Sequence, residues 1–379
     1  MATGEVRSAP VQATAPRRRR RRRGPAGVIA AYDRTVTAAS LLLVANAADG
    51  TISTFRFQDG RLDRLAVTEG VTGCSTFAID PQRDLVYAAV KGTEPGQPAG
   101  ILTLALDRVT GELTPRTRLD LPEGGMNYLA LARGGTGLLG ASYGGGYGIS
   151  SHVADGVVGA PVSTVHYPNL HSVLPSADGR FAYFVSLGAD LVAQYEIGPD
   201  LALTPLDVPT VAAPDGSGPR HLVLDEAQDA VYVITEFSGE VLHFTRDTTT
   251  GALSLRGAAS FVDPSKDLGH STFGADPLAH HYIWGADLHA AGDHLWASER
   301  TESTLGALAV GADGSLAPPA SFTVTETQPR GFVMSPDGAF LVAAGEKSTS
   351  VSLYAVDGGE LALLQRAETG RGANWLRFV

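Results

Sequence analysis

The sequence predicts an all-β fold: a seven-bladed β-propeller closed by pairing its N- and C-terminal strands in one blade. Three observations lead there. A block of polar edge, apolar strand, turn, second strand and second polar edge recurs along the chain. It is clearest in Gly218-Pro219-Arg220-His221-Leu222-Val223-Leu224-Asp225 with Val231-Tyr232-Val233-Ile234-Thr235-Glu236, and again in Pro329-Arg330-Gly331-Phe332-Val333-Met334 with Phe340 to Ala344. The 379 residues include 45 glycines and 22 prolines and no long helix-period segment, which favours short strands joined by turns. Finally, each end of the chain carries a fragment of the block that the other end lacks.

The first 27 residues are rich in Ala, Pro, Thr and Arg and cannot build a core, so they are expected to be a disordered tail preceding one propeller domain over residues 28–379. The run Arg17 to Arg23 reads as a solvated tail. A twin-arginine export signal fits less well, because Asp33 and Arg34 break the following apolar stretch. No segment is apolar for long enough to cross a membrane. A single cysteine, Cys74, excludes an intramolecular disulfide framework and a multi-cysteine metal site, and a cytoplasmic setting is expected. The net charge of −11 divides into +7 over residues 1–27 and −18 over the rest. Such a body has no electrostatic reason to bind nucleic acid, and an anionic ligand would need a locally basic pocket.

Six copies of the block begin near Ser75, Asn127, His171, Arg220, Ala286 and Arg330, at spacings of 52, 44, 49, 66 and 44 residues. Each continues into a second strand, as in Leu85 to Val90 or Phe181 to Val185, and a third, as in Ile101 to Ala105 or Val351 to Ala355. A Gly-x-Leu turn at Gly111, Gly251 or Gly314 then leads to a fourth, outer strand. Four short strands per repeat of this length is the pattern of a propeller blade. The chain enters at Leu41 to Asn46, which matches a second strand, and closes with Asn374 to Val379, which matches a first strand. Together they complete the seventh blade, pairing strand edges that would otherwise be exposed.

Equivalent block positions must form rings around one end of the central channel. Ser75, Asn127, His171, Arg220, Ala286 and Arg330 mark the entrance to the innermost strand; Tyr143, Leu187, Glu236, Arg300 and Glu346 lie just past the second strand. Because these antiparallel strands enter and leave on the same face, both rings should open onto one mouth. Three arginines, a histidine and carboxylates would gather there.

The Pro219-Arg220-His221 block, Tyr143-Gly144-Gly145-Gly146, Ala297-Ser298-Glu299-Arg300, Gln328-Pro329-Arg330-Gly331-Phe332 and Gly372-Ala373-Asn374-Trp375 resemble the propeller-type lactonase family. That family includes bacterial 6-phosphogluconolactonases and fungal carboxymuconate-lactonizing enzymes. The resemblance spans about residues 41–379. It implies a lactonase acting on a small anionic sugar lactone, with 6-phosphogluconolactone as the leading substrate and no metal or other cofactor. The histidine, two arginines and glutamate used by the fungal relatives fall on His171, Arg220, Arg300 and Glu236 here. The chain departs from its relatives at Glu299, where they often carry Asn, and at Asp287-Leu288-His289, where they often carry Glu-Ile-His.

These residue types suit the chemistry. Lactone hydrolysis needs a base to activate water and donors for the tetrahedral oxyanion, and a phosphate or carboxylate on the substrate favours arginine. His171 or Glu236 is the expected base, with Arg220 and Arg300 as the anion clamp and Arg330, Asn127 and Tyr143 as substrate-binding candidates. A muconate-type lactonizing cyclase could use the same set, and so could a propeller that binds without turnover.

Three other signals carry less. Gly140-Ala141-Ser142-Tyr143-Gly144 satisfies Gly-x-Ser-x-Gly, yet a nucleophile elbow needs a following helix, and here a glycine run precedes another strand. Gly135 to Gly140 mimics a dinucleotide fingerprint inside a hairpin. The insertion over residues 262–285 with His270, His280 and His281, followed by His289 and His294, lacks metal-ligand spacing and reads as a rim loop. His221 is expected to point away from Arg220 by strand alternation, into core packing or a supporting hydrogen bond. Trp284, Trp296 and Trp375 are expected to fill space within and between blades.

Overall fold

The structure is a computed structural model that describes Met1 and residues 40–379. The arginine-rich tail and the expected domain start at residue 28 lie outside the described residues. From Ser40 onward the chain forms seven antiparallel sheets that follow one another in sequence. Blade 1 joins both ends of the chain: Ala373–Phe378 is its inner strand, followed outward by Ser40–Asn46, Thr51–Gln58 and Arg61–Thr68. Blades 2 to 5 begin with inner strands Phe77–Asp80, Tyr128–Ala132, Leu170–Pro175 and Pro219–Leu224. Blade 6 begins at Gly285–Ala291 and blade 7 at Gly331–Met334. The expected propeller and its two-ended closure are both present.

Closure rests on specific contacts. Leu42 pairs with Phe378, Val44 with Leu376 and Ala45 with Trp375. Trp375 is 3% exposed, and its indole N–H donates to the Phe77 carbonyl of blade 2 at 2.9 Å. One side chain thus links the last strand to the blade that follows the seam.

Between blades the cores are apolar. Phe181, Tyr183 and Val185 of blade 4 pack with Leu222, Val231 and Val233 of blade 5, and comparable clusters fill the other interfaces. Both faces of the second strands are buried, so these strands read as continuous apolar runs such as Ala230–Thr235. The Gly-x-Leu turns have a geometric cause: Gly251 sits at φ +77°, and a Cβ there would lie 2.3 Å from Cδ1 of Phe181.

The inner strands are not regular. In blades 1, 4, 5 and 6 the pairing with the second strand slips near the entrance, at Asn374, His171, Arg220-His221 and Ala286-Asp287. One extra residue is accommodated at each site, which bends the strand and re-aims its side chains. Strict alternation therefore fails at the positions that face the channel. Among the described residues no helix is long and apolar enough to cross a membrane.

The closure makes a direct prediction. Replacing Trp375 by Ala should cost about 3–5 kcal/mol of stability. Ending the chain at Gly372 should abolish the cooperative thermal transition, and retention of full thermal stability would contradict the closure account.

Candidate active site

The two expected rings meet at one mouth, and the seven candidate residues form a connected set there. The Asn127 side-chain amide donates to the His171 carbonyl at 2.6 Å, and its oxygen accepts from the Tyr143 N–H. The rings of Tyr143 and His171 meet edge to face at 5.5 Å, and His171 meets His221 in the same way at 5.1 Å. His221 contacts the Arg220 guanidinium at 3.0 Å. Arg220 pairs with Glu236 at 2.8 Å, and Glu236 also lies 3.3 Å from Arg300. Arg300 lies 3.9 Å from Glu346, which holds Arg330 at 2.8 Å.

Burial grades across this set. Arg220 is 1% and Arg300 3% exposed, whereas the Arg330 side chain retains 31%. Arg220 donates to Glu236 and to the Ala286 carbonyl of blade 6, so it ties blade 5 to blade 6. Both Asn127 side-chain groups are taken up by blades 3 and 4. Of the three arginines in the set, Arg330 is the most open to solvent.

Electrostatics differentiate the two expected bases. Burial alone would raise the Glu236 carboxyl, but Arg300, Arg220 and Arg330 outweigh it and hold the group below the usual carboxylate range. His171 is held well below the ordinary imidazole value, first by burial and then by Arg220, His221 and the other arginines. It is therefore neutral near pH 7. Arg300 is pushed down to about 9, chiefly by burial.

His221 does not point away from Arg220. The bulge turns both side chains to the channel side, where Nδ1 of His221 meets Asp287 at 2.7 Å and Nε2 meets Arg220. With the arginine donating to Nε2, the imidazole proton resides on Nδ1 and is donated to Asp287. Burial pushes His221 down to about 3. For Asp287, burial opposes ionisation, yet His289 and the bonds from His221 and His289 leave it well below the usual carboxylate range. The expectation of a supporting hydrogen bond for His221 holds, while its predicted direction does not.

Trp284 also departs from expectation. Its indole N–H donates to Glu236 at 3.2 Å, and its ring lies under the Arg300 guanidinium at 3.7 Å. It belongs to the insertion over residues 262–285, whose Leu278 lines the same mouth, so that segment is a rim loop. Its histidines are dispersed: His270 contacts the Ser271 carbonyl and His281 the Lys266 carbonyl. Among the described residues no cluster of three His, Cys, Asp or Glu could hold a metal. Ser142 donates to the Gly125 carbonyl and ends the strand Gly137–Ser142, which turns into the strand Tyr147–Ala154 and not into a helix, so it is not at a nucleophile elbow. Burial pushes the Cys74 thiol up to about 12.

The mouth opens into a cavity of about 760 Å³ between blades 6, 7, 1 and 2. Lys91, Lys347, Gln328 and Asn374 line it beside Arg300, Arg330 and Glu346. Sequence reasoning passed over Lys91, although it directly follows the second strand of blade 2 and so matches Tyr143, Glu236 and Arg300 in position. Two of the cavity's lining residues carry a buried atom without a hydrogen-bond partner among the described residues, Arg300 Nε and Asn374 Oδ1; His171, which is outside this lining, has an unpartnered Nδ1 as well. A larger hollow of about 1050 Å³ lies on the opposite face of blades 5 and 6. It is lined by Asp225, Glu226, Asp229, Asp293 and Asp313, which disfavour an anion.

Residues 35–378 match the family model described as lactonase, 7-bladed beta-propeller. The chain belongs to this lactonase family. A 6-phosphogluconolactonase of Pectobacterium carotovorum is 30% identical over 289 residues, covering 74% of this chain and 81% of that protein. A second 6-phosphogluconolactonase, from Sodalis glossinidius, is 29% identical over 326 residues, covering 84% of this chain and 92% of its own. The structure of a periplasmic gluconolactonase of Pseudomonas aeruginosa superposes with a TM-score of 0.78 at 25% identity, covering 90% of this chain and 99% of that one. Within the lactonase family, then, relatives carry names for phosphorylated and for unmodified gluconolactone.

The depressed histidines set a pH dependence. The unfolded chain binds protons at its histidines below about pH 6.5, while buried His171 and His221 do not, so stability falls as pH drops through that value. For His221 the loss continues toward about 3. The slope is at most roughly 1.4 kcal/mol per pH unit for each histidine. Urea unfolding at pH 7 and pH 5, above most carboxylate titration, should show a lower midpoint at pH 5; equal midpoints would contradict the burial of neutral imidazoles.

Proposed function

We propose that the protein is a lactonase that hydrolyses a small anionic sugar lactone, with 6-phosphogluconolactone as its substrate. The observation that carries this reading is a buried, neutral histidine with an unpartnered ring nitrogen, beside three arginines at the mouth of an otherwise acidic propeller. Family membership and the names of the relatives support the reaction class.

In this reading His171 is the general base. It takes a proton from water as the oxygen attacks the lactone carbonyl, and the carbonyl electron pair moves onto oxygen. Arg300, with Arg330 beside it, stabilises that oxyanion. On collapse the ring C–O bond breaks, and the imidazolium returns its proton to the departing hydroxyl oxygen. The low proton affinity of His171 makes it a modest base and a strong acid for the second step. Glu236 holds Arg220 and Arg300 in place, since its oxygens are occupied by guanidinium and indole donors. Tyr143 and Asn127 fix the His171 side of the mouth.

The full chain should release protons from 6-phosphogluconolactone well above the spontaneous rate. His171→Ala should lower kcat by about 100-fold or more, the usual contribution of a general base. The acid limb of kcat/KM should lie well below pH 6.5. A wild-type chain that accelerates hydrolysis of neither phosphorylated nor unmodified gluconolactone would overturn the proposal.

A further inference from the structure

We infer that the wall of the cavity formed by blades 2 and 7 is a dedicated phosphate subsite, in which Lys91 and Lys347, with Arg330, select a phosphorylated lactone over the unmodified sugar. This deepens the lactonase reading and rests on it. The chain matches relatives named for both kinds of lactone, so family membership leaves the choice to local residues.

The charge balance is the first argument. Lys91, Arg300, Arg330 and Lys347 line the cavity with a single carboxylate, Glu346. That carboxylate is already paired with Arg330 and lies near Arg300. Among the described residues, neither lysine ammonium has a carboxylate within 4.0 Å. Outside the first 27 residues the chain carries −18, so carboxylates are abundant, yet this cavity gathers cations. Like charges so placed repel one another in the folded chain, and a dianion is the ligand that offsets them.

Position is the second. Lys91 follows the second strand of blade 2, and its backbone N–H donates to the Thr72 carbonyl at 2.9 Å. Its stem lies across Gly73, where a Cβ would stand 2.7 Å from the lysine Cδ. Gly73 is at φ +63° and leaves the stem room that a side chain would occupy. Lys347 is anchored across the mouth by its N–H to the Thr327 carbonyl at 3.2 Å.

The third argument points to a ligand between the two ends of the site. Arg300 and Asn374 are 3% and 4% exposed, both line the cavity, and each has a buried polar atom without a protein partner. Buried polar atoms are ordinarily satisfied, so the pair suits the hydroxyls of a bound sugar. Arg300 also contacts Glu236, whose other partner Arg220 meets His221 beside His171. A lactone seated with its phosphate toward Lys91 and Lys347 would present its carbonyl toward Arg300 and His171.

The test uses the full chain with Lys91→Met and Lys347→Met, which keep stem length and remove charge. Steady-state hydrolysis of 6-phosphogluconolactone and of gluconolactone gives the ratio of their kcat/KM values. Each variant should lower that ratio by roughly tenfold, as for loss of one charge-assisted contact. An unchanged ratio, or equal loss on both lactones, would overturn the subsite while leaving the lactonase reading intact. Calorimetry with 6-phosphogluconate and gluconate reads the subsite without turnover. Preference for the phosphorylated acid, lost in the double variant, supports it even if neither lactone is hydrolysed; equal affinity for both acids in the wild-type chain overturns it.

Discussion

Closure of the ring is the constraint on which everything else depends. Seven four-stranded units can surround a channel only if the last meets the first, and this chain achieves that by laying Ala373–Phe378 against Ser40–Asn46. The seam lies within a sheet and so is held by backbone hydrogen bonds, and Trp375 locks it to blade 2 through the Phe77 carbonyl. With the circle closed, the inner strands converge at fixed distances. Residues separated by 44 to 66 positions in sequence then become neighbours around one mouth.

That convergence brings charges together away from water. Buried ions are tolerated when each is matched, because the desolvation of an unmatched one costs several kcal/mol. Around the mouth the charges alternate in a chain: Glu236 sits between Arg220 and Arg300, and Glu346 sits between Arg300 and Arg330. Asp287 is held instead by hydrogen bonds, to the neutral His221, to His289 and from the Phe332 N–H of blade 7. The ionic network therefore joins blades as well as shaping the site. Among the atoms left without a protein partner are His171 Nδ1 and, in the lining of the cavity, Arg300 Nε and Asn374 Oδ1.

The inner-strand bulges give the site its aim. In a regular strand Arg220 and His221 would project to opposite sides. The extra residue places both beside the channel, so His221 can bear on Arg220 while Asp287, from the corresponding bulge of blade 6, bears on His221. Asn374 occupies the same place in blade 1 and reaches the cavity by the same device. A local irregularity repeated by the fold becomes a repeated functional position.

The sequence by itself determined the repeat, the blade count, the two-ended seam and which block positions surround the mouth. Each of these follows from the order of apolar runs and turns, which is local information. It also marked Arg220, Glu236, Arg300 and Arg330 as informative, because other copies of the block place Ser75, Leu187 or Ala286 at those positions. It missed Lys91, which occupies the same second-ring position, and it read Trp284 as a space filler. Only the tertiary structure decided that Glu236 is held as a carboxylate by arginines from three blades, that His171 is neutral, and that His221 faces the channel. Those properties depend on burial, on bulges that break two-residue alternation, and on charges from distant blades, none of which exists until the ring has closed.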